Sequence, residues 1–161
     1  MCPVIKSLTE KKLAGKKITT TFANNQTRQL WQSFMPNRKE ITNSIGTDLF
    51  SLQAYPPTFD FNTFDQWIPF EKWAALEVAD FHNIPEGMET CILPGGLYAV
   101  FYYKGLSTDT SIFQYIFGTW LPDSKEYTID HRPHFEILGE KYKNIDPDSE
   151  EEIWIPVKLK H

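Results

Sequence analysis

A short apolar pattern occurs twice in this chain, and it constrains the fold more than any other feature. Leu30, Trp31, Phe34 and Met35 are followed by Pro36; Ile116, Phe117, Trp120 and Leu121 are followed by Pro122. Spacing of i, i+1, i+4, i+5 puts four apolar side chains on one helix face, and the proline marks the helix end. Asn24 or Asn25 is placed to cap the first helix, and Asp109 the second. Extended segments recur around each helix. Lys12 to Phe22 precedes the first, and Ser44 to Tyr55 and Phe70 to Val78 follow it. Cys91 to Tyr103, broken by Pro94-Gly95-Gly96, precedes the second, and His134 to Leu138 and Glu152 to Val157 follow it. Turns fall at Pro56-Pro57, Pro85-Glu86-Gly87 and Asp146-Pro147-Asp148-Ser149. Each half thus reads strand, helix, strand, strand. Two such halves, roughly 1–88 and 89–161, predict one α+β domain with antiparallel sheet on one side and two helices on the other.

Two acids interrupt strands that otherwise read as core. Glu136 lies in Phe135-Glu136-Ile137-Leu138, and Glu152 lies in Glu152-Ile153-Trp154-Ile155-Pro156-Val157. Side chains alternate along a strand, so Glu152 and Trp154 share one face and Ile153, Ile155 and Val157 the other. An acid beside an indole on a half-apolar surface is costly to desolvate. A ligand cation is one reason to keep it there: the carboxylate offsets the charge, and an indole face contributes on the order of 0.5–2 kcal/mol. A solvated edge continuing the run Glu150-Glu151-Glu152 is the other. Glu136 carries the same pair of readings, a site acid or a structural partner of a base. Trp73 and Glu77 repeat the indole-and-acid theme in the first half, where a core tryptophan and an edge acid are the alternative. Tyr98 shares its strand face with Val100 and Tyr102. Its hydroxyl wants a partner, so it reads as groove lining, whereas Phe101 reads as core.

Rings make up 15% of the 161 residues, which calls for a large aromatic core or a ring-lined cavity. The net charge of −5 leaves no basic stripe for phosphates, so direct nucleic-acid binding is excluded. Lys11, Lys12, Lys16 and Lys17 form only a small cluster beside a strand. Cys2 and Cys91 lack zinc spacing, which fits a reduced, cytoplasmic setting. The N-terminus has no signal-peptide h-region, and no apolar run is long enough to span a membrane. Phosphate-loop, dinucleotide and serine-nucleophile motifs are missing. Asp146, Asp148 and Glu150 alternate like calcium ligands but lack the loop glycine of that site. The histidines lack a clustered ligand set. Neither a metal nor a cofactor is expected.

Several motifs occur in a familiar order: Lys12-Leu13-Ala14-Gly15, Leu30-Trp31-Gln32-Ser33-Phe34, Phe70-Glu71-Lys72-Trp73-Ala74-Ala75, Pro94-Gly95-Gly96-Leu97-Tyr98-Ala99-Val100-Phe101, Tyr115-Ile116-Phe117-Gly118-Thr119-Trp120-Leu121-Pro122, Arg132-Pro133-His134-Phe135-Glu136 and Glu152-Ile153-Trp154-Ile155-Pro156-Val157. Across nearly the whole chain this set resembles the GyrI-like small-molecule-binding family, the effector-binding domain of bacterial transcription activators, with its SOUL-like fold. The resemblance implies two pseudo-symmetric βαββ halves with a ligand groove on the face away from the helices. It implies a stand-alone domain in a family whose members often serve transcription regulation and multidrug binding. It also implies a buried glutamate among rings, for which Glu136 and Glu152 are the matching positions.

Three functions compete. The first is a sensor or sequestering module for a lipophilic, aromatic or cationic small molecule held by Glu152, Trp154, Glu136, Tyr98, Trp73 and Glu77, with a regulatory protein partner if the signal is passed on. The second is a hydrolase of reactive small molecules, with Glu136 and Glu152 dividing the acid and base roles. The third is an interaction protein of the gyrase-inhibitor kind.

Overall fold

The computed structural model describes residues 2–61, 63 and 65–160. Among these residues nine strands, two helical segments and a 3-10 turn (Arg38–Glu40) are formed: β1 (Val4–Leu8), β2 (Lys11–Thr20), α1 (Thr27–Asn37), β3 (Leu49–Ala54), β4 (Phe70–Glu77), β5 (Glu89–Leu93), β6 (Gly96–Lys104), α2 (Ser111–Tyr115), α3 (Leu121–Asp123), β7 (Tyr127–Ile129), β8 (His134–Leu138) and β9 (Glu150–Leu159). A π turn, Ile116–Trp120, joins α2 to α3, so the second helical segment is continuous. Gln26 and Thr110 hold the N-cap positions without a side-chain cap, and the expected residues act from one position earlier. Asn25 Oδ1 accepts from the Thr27 amide at 3.0 Å, and Asp109 Oδ1 from the Ser111 amide at 2.9 Å. Pro36 and Pro122 lie in the last turns rather than beyond them.

Every strand pairing is antiparallel, and the order is β1-β6-β9-β8-β3-β4-β2-β5, with β7 beside β9. The two halves are β2-α1-β3-β4 and β6-α2-β8-β9, and they meet where β3 pairs β8. Leu52 lies opposite Phe135 at that junction. Outward from it, Leu52 faces Trp73 and Phe135 faces Trp154. The two tryptophans are therefore pseudo-twofold equivalents, and register makes Glu71 the counterpart of Glu152 in the first half.

Helix-facing residues separate into two apolar patches. Leu30 and Phe34 of α1 pack on Ala14, Ala74 and Leu76. Ile112 and Ile116 pack on Ala99, Phe101, Ile153, Ile155 and Val157. The opposite face carries the third cluster, with Leu8, Leu13, Leu52, Trp73, Leu93, Tyr98, Phe135 and Trp154. Chain connectivity explains how that face is covered. Only Pro94 and Gly95 separate β5 from β6, and only Thr9 and Glu10 separate β1 from β2, yet each pair lies near opposite ends of the strand order. The sheet must coil until its edges approach, which closes the helix-free face on itself. Buried core occupies much of that face, and two clefts among the described residues lie on the helix side.

Candidate functional site

Between the two apolar patches runs a polar strip of the same sheet face. Gln53 of β3 lies opposite Lys72 of β4 on one side and His134 of β8 on the other. Ser51 faces Glu136, which in turn faces Ile153. Glu151 of β9 faces Tyr103. Alternation puts all six polar side chains toward the helices. Ser51, Lys72 and His134 are buried, a costly placement that demands partners. Gln53, its amide turned so that the oxygen faces Lys72, accepts from Lys72 Nζ at 2.8 Å and donates to the His134 carbonyl at 3.0 Å.

Burial governs the electrostatics of this strip. It lowers the pKa of Lys72, against the opposing pull of Glu136 and Glu151. It pushes His134 down to about 3, so the ring is neutral. It raises Glu151 to about 7, with the Glu136 charge adding and the Lys72 charge opposing. Tyr55 is raised by burial and then by Glu136. The strip therefore brings an acid that titrates near neutrality close to a second carboxylate and a buried lysine.

Rings cover the strip. Phe61 stacks on Phe117 (centroids 5.1 Å, interplanar 12°) and on His134 (5.0 Å, 21°). Tyr55 stands edge-on to both Phe61 and His134. The π turn sets Phe117: Ile116 points into the core, Trp120 meets Phe101 edge-on, and Phe117 is left over the strip. Outside these rings lies a cleft of about 390 Å³, lined chiefly by Phe59, Asp60, Phe61, Phe117, Leu121 and Lys160. Beneath it a smaller space of about 20 Å³ reaches Gln53, Tyr55, His134 and Glu136. Phe117 lines both.

The six residues singled out from the sequence do not gather in one place. Glu136 lines the smaller space beneath the rings. Glu152 lies on the helix-free side, where its Oε1 accepts from Trp154 Nε1 at 2.9 Å. Trp154 is buried there, stacked on Phe135 and edge-on to Tyr98, with Lys6 Nζ 5.8 Å from its ring. Tyr98 is fully buried, and its hydroxyl donates to the Pro133 carbonyl at 3.4 Å. Trp73 belongs to the same core, and Glu77 pairs with Lys11 at 3.2 Å near the sheet edge. The sheet thus separates Glu136 from Glu152; the acid beside Glu136 is Glu151. Lys72, Gln53, Glu151 and Phe61 are not found by the sequence reading. Lys72 did leave a signal, since it shares a strand face with Phe70, Ala74 and Leu76, where a charge is out of place.

The model of the Cass2 family, integron-associated effector binding proteins, matches residues 4–157. Among solved structures, SAV2435 bound to tetraphenylphosphonium superposes with a TM-score of 0.70 at 17% identity, covering 98% of this chain and 94% of that one. An integron cassette protein from the mobile metagenome of Vibrio cholerae gives 0.67 at 15% identity, covering 98% and 96%. EcmrR in its complex with DNA gives 0.69 at 14% identity, covering 96% of this chain but only 56% of that one. At these identities the likeness is one of fold. No curated protein matches the sequence.

Proposed function

The chain belongs to the Cass2 family of integron-associated effector binding proteins and is a GyrI-like domain, and from that premise we propose that it captures a lipophilic aromatic cation in the helix-side cleft as a sensor or sequestering module. The observation that carries this reading is Glu136, in the smaller space that shares Phe117 with the cleft and is walled by Tyr55, Phe113, Phe117 and His134. A carboxylate there offsets a ligand cation in a setting poor in water, where the attraction is strongest. The rings supply flat apolar contact and cation-π attraction. Neutral His134 adds a ring without a competing charge. The ligand in the SAV2435 structure, tetraphenylphosphonium, is of this chemical class.

Titrating the protein with tetraphenylphosphonium in a calorimeter tests the reading. Wild type binds, and Glu136→Gln weakens binding at least about tenfold, the loss of one buried charge partner. Absence of heat and of any thermal shift in the wild type would end the proposal.

One observation supports a second reading. Glu151, raised to about 7, lies close enough to Glu136 for their charges to interact, and such a pair divides into proton donor and acceptor. In a hydrolase of strained electrophiles Glu136 activates water and Glu151 protonates the leaving atom. Steady-state turnover of an electrophilic cyclopropane, abolished in Glu151→Gln, decides for it.

A further inference from the structure

We infer that the head group this site favours is a primary ammonium on a slender chain, over a quaternary centre of the same charge. The inference rests on the cation-binding reading above and narrows its ligand class.

The two helix-side spaces differ in what they can hold. The outer cleft, about 390 Å³, is the size of a small-molecule pocket and takes rings. The inner space, about 20 Å³, has room for a single water-sized group. Glu136 lines only the inner one. A ligand that uses both therefore places its rings outside and a head no larger than a water inside. An –NH3+ group has that size. A trimethylated nitrogen is wrapped in carbon and enters only if the walls move. Those walls are rings: Phe117 lines both spaces, and Phe61, which lines the outer one, stacks on Phe117 and on His134. Rings can turn to pass a methylene chain, whereas a quaternary centre has to evict Phe61.

Size alone does not favour the amine. Its N–H groups are strongly hydrated, and each must find an acceptor once water is shed. The residues that line the inner space carry such acceptors: the Glu136 carboxylate, the Tyr55 hydroxyl oxygen and the imidazole of His134. With its pKa down at about 3, that imidazole is neutral and keeps one nitrogen as an acceptor. Among the described residues Glu136 forms no ion pair. A methylated head leaves these acceptors unmet, and a site built to receive N–H donors rejects analogues that lack them.

A matched pair of probes with one ring and one charge each tests this at pH 7: 4-phenylbutylammonium and its N,N,N-trimethyl derivative. Calorimetry on the wild-type chain should show the primary amine binding about tenfold tighter or more. Glu136→Gln should cost the primary amine more than the trimethyl compound and narrow the ratio by about threefold or more. Phe61→Ala widens the passage, so the trimethyl compound should gain and narrow the ratio from the other side. If the wild type binds the trimethyl compound as tightly as the primary amine, charge without N–H donors suffices and the inference falls alone. It also falls alone if the ratio is unchanged in Glu136→Gln or in Phe61→Ala, because the head then lies elsewhere or the rings do not part the two spaces. If the wild type binds tetraphenylphosphonium but neither probe, this inference falls and the cation-binding reading stands. If it binds none of the three, both fall.

Discussion

Glu151 and Glu152 are neighbours in sequence, and the single step between them decides their chemistry. Alternation turns Glu152 to the helix-free side, where it accepts the Trp154 indole N–H. It turns Glu151 to the helix side, where burial, Glu136 and Lys72 act on it. Tyr103 and Tyr142 also face Glu151 closely enough to feel its charge. Folded Glu151 keeps its proton up to about 7, against an ordinary 4.5. Its contribution to stability is therefore complete below about 4.5 and is lost as pH rises through 7. His134 has the opposite sign: its pKa falls from 6.5 to about 3, so stability is lost as pH falls through that window. A cation prefers ionised Glu151. Tetraphenylphosphonium affinity should thus rise about tenfold between pH 6 and pH 8, and Glu151→Gln should flatten the profile in the same calorimetric titration. Glu136 is legible in the sequence because an acid between Phe135 and Ile137 has no ordinary place. Glu151 is hidden by its acidic run, whose charge density reads as a solvated edge until register assigns each member a face.

The regular elements follow from periodicity, and the irregular one that shapes the site does not. Four-residue spacing locates α1 and the second helical segment, and β-branched or alternating stretches locate β2, β3, β4, β8 and β9. β1 and β7 escape that reading. β1 has no clean apolar alternation, and β7 is only three residues long. The connection between β3 and β4 carries Tyr55, Phe59 and Phe61 with no period at all, so nothing in the sequence aims them at the helix-side strip. Phe61 nevertheless lies on Phe117 and His134, where a ligand ring over Glu136 would also stack. Phe61→Ala should vacate that position. Ring contacts with Tyr55, Phe59, Phe117 and His134 are lost, so the melting temperature should drop in step with about 1–2 kcal/mol of stability. Tetraphenylphosphonium should bind about threefold tighter or more, because the ligand no longer displaces a ring of the protein. Weaker binding would instead make Phe61 a wall of the site.

At the scale of the whole molecule, coiling of the sheet decides which face is core and which is free for a ligand. Sequence parity correctly pairs Glu152 with Trp154, but parity alone does not say that the sheet closes on that side. Closure is a long-range property, set where β5, β6 and β9 converge and Gly95 approaches the Leu8 carbonyl. Arg132 ties that convergence together. Its Nη2 donates to the carbonyls of Leu97 at 2.7 Å and Val157 at 3.0 Å, and its Nη1 to that of Gly95 at 3.4 Å. Nε pairs with Asp130 at 2.9 Å, and the guanidinium lies 4.6 Å from the Tyr98 ring centroid. Gly96, at φ +139°, gives it room: a Cβ there would stand 2.6 Å from Nη1. The fork geometry of arginine serves all these partners, which a lysine ammonium cannot do. Arg132→Ala should therefore cost about 3 kcal/mol in urea unfolding, since carbonyls of β6 and β9 lose a charged donor. Arg132→Lys should recover less than half of that loss. The clasp acts on the closed side of the sheet and the charged strip on the helix side, so Arg132→Lys should leave tetraphenylphosphonium affinity unchanged while it lowers the unfolding midpoint. A changed affinity would mean that closure of the core and ligand binding in the cleft are coupled through the sheet.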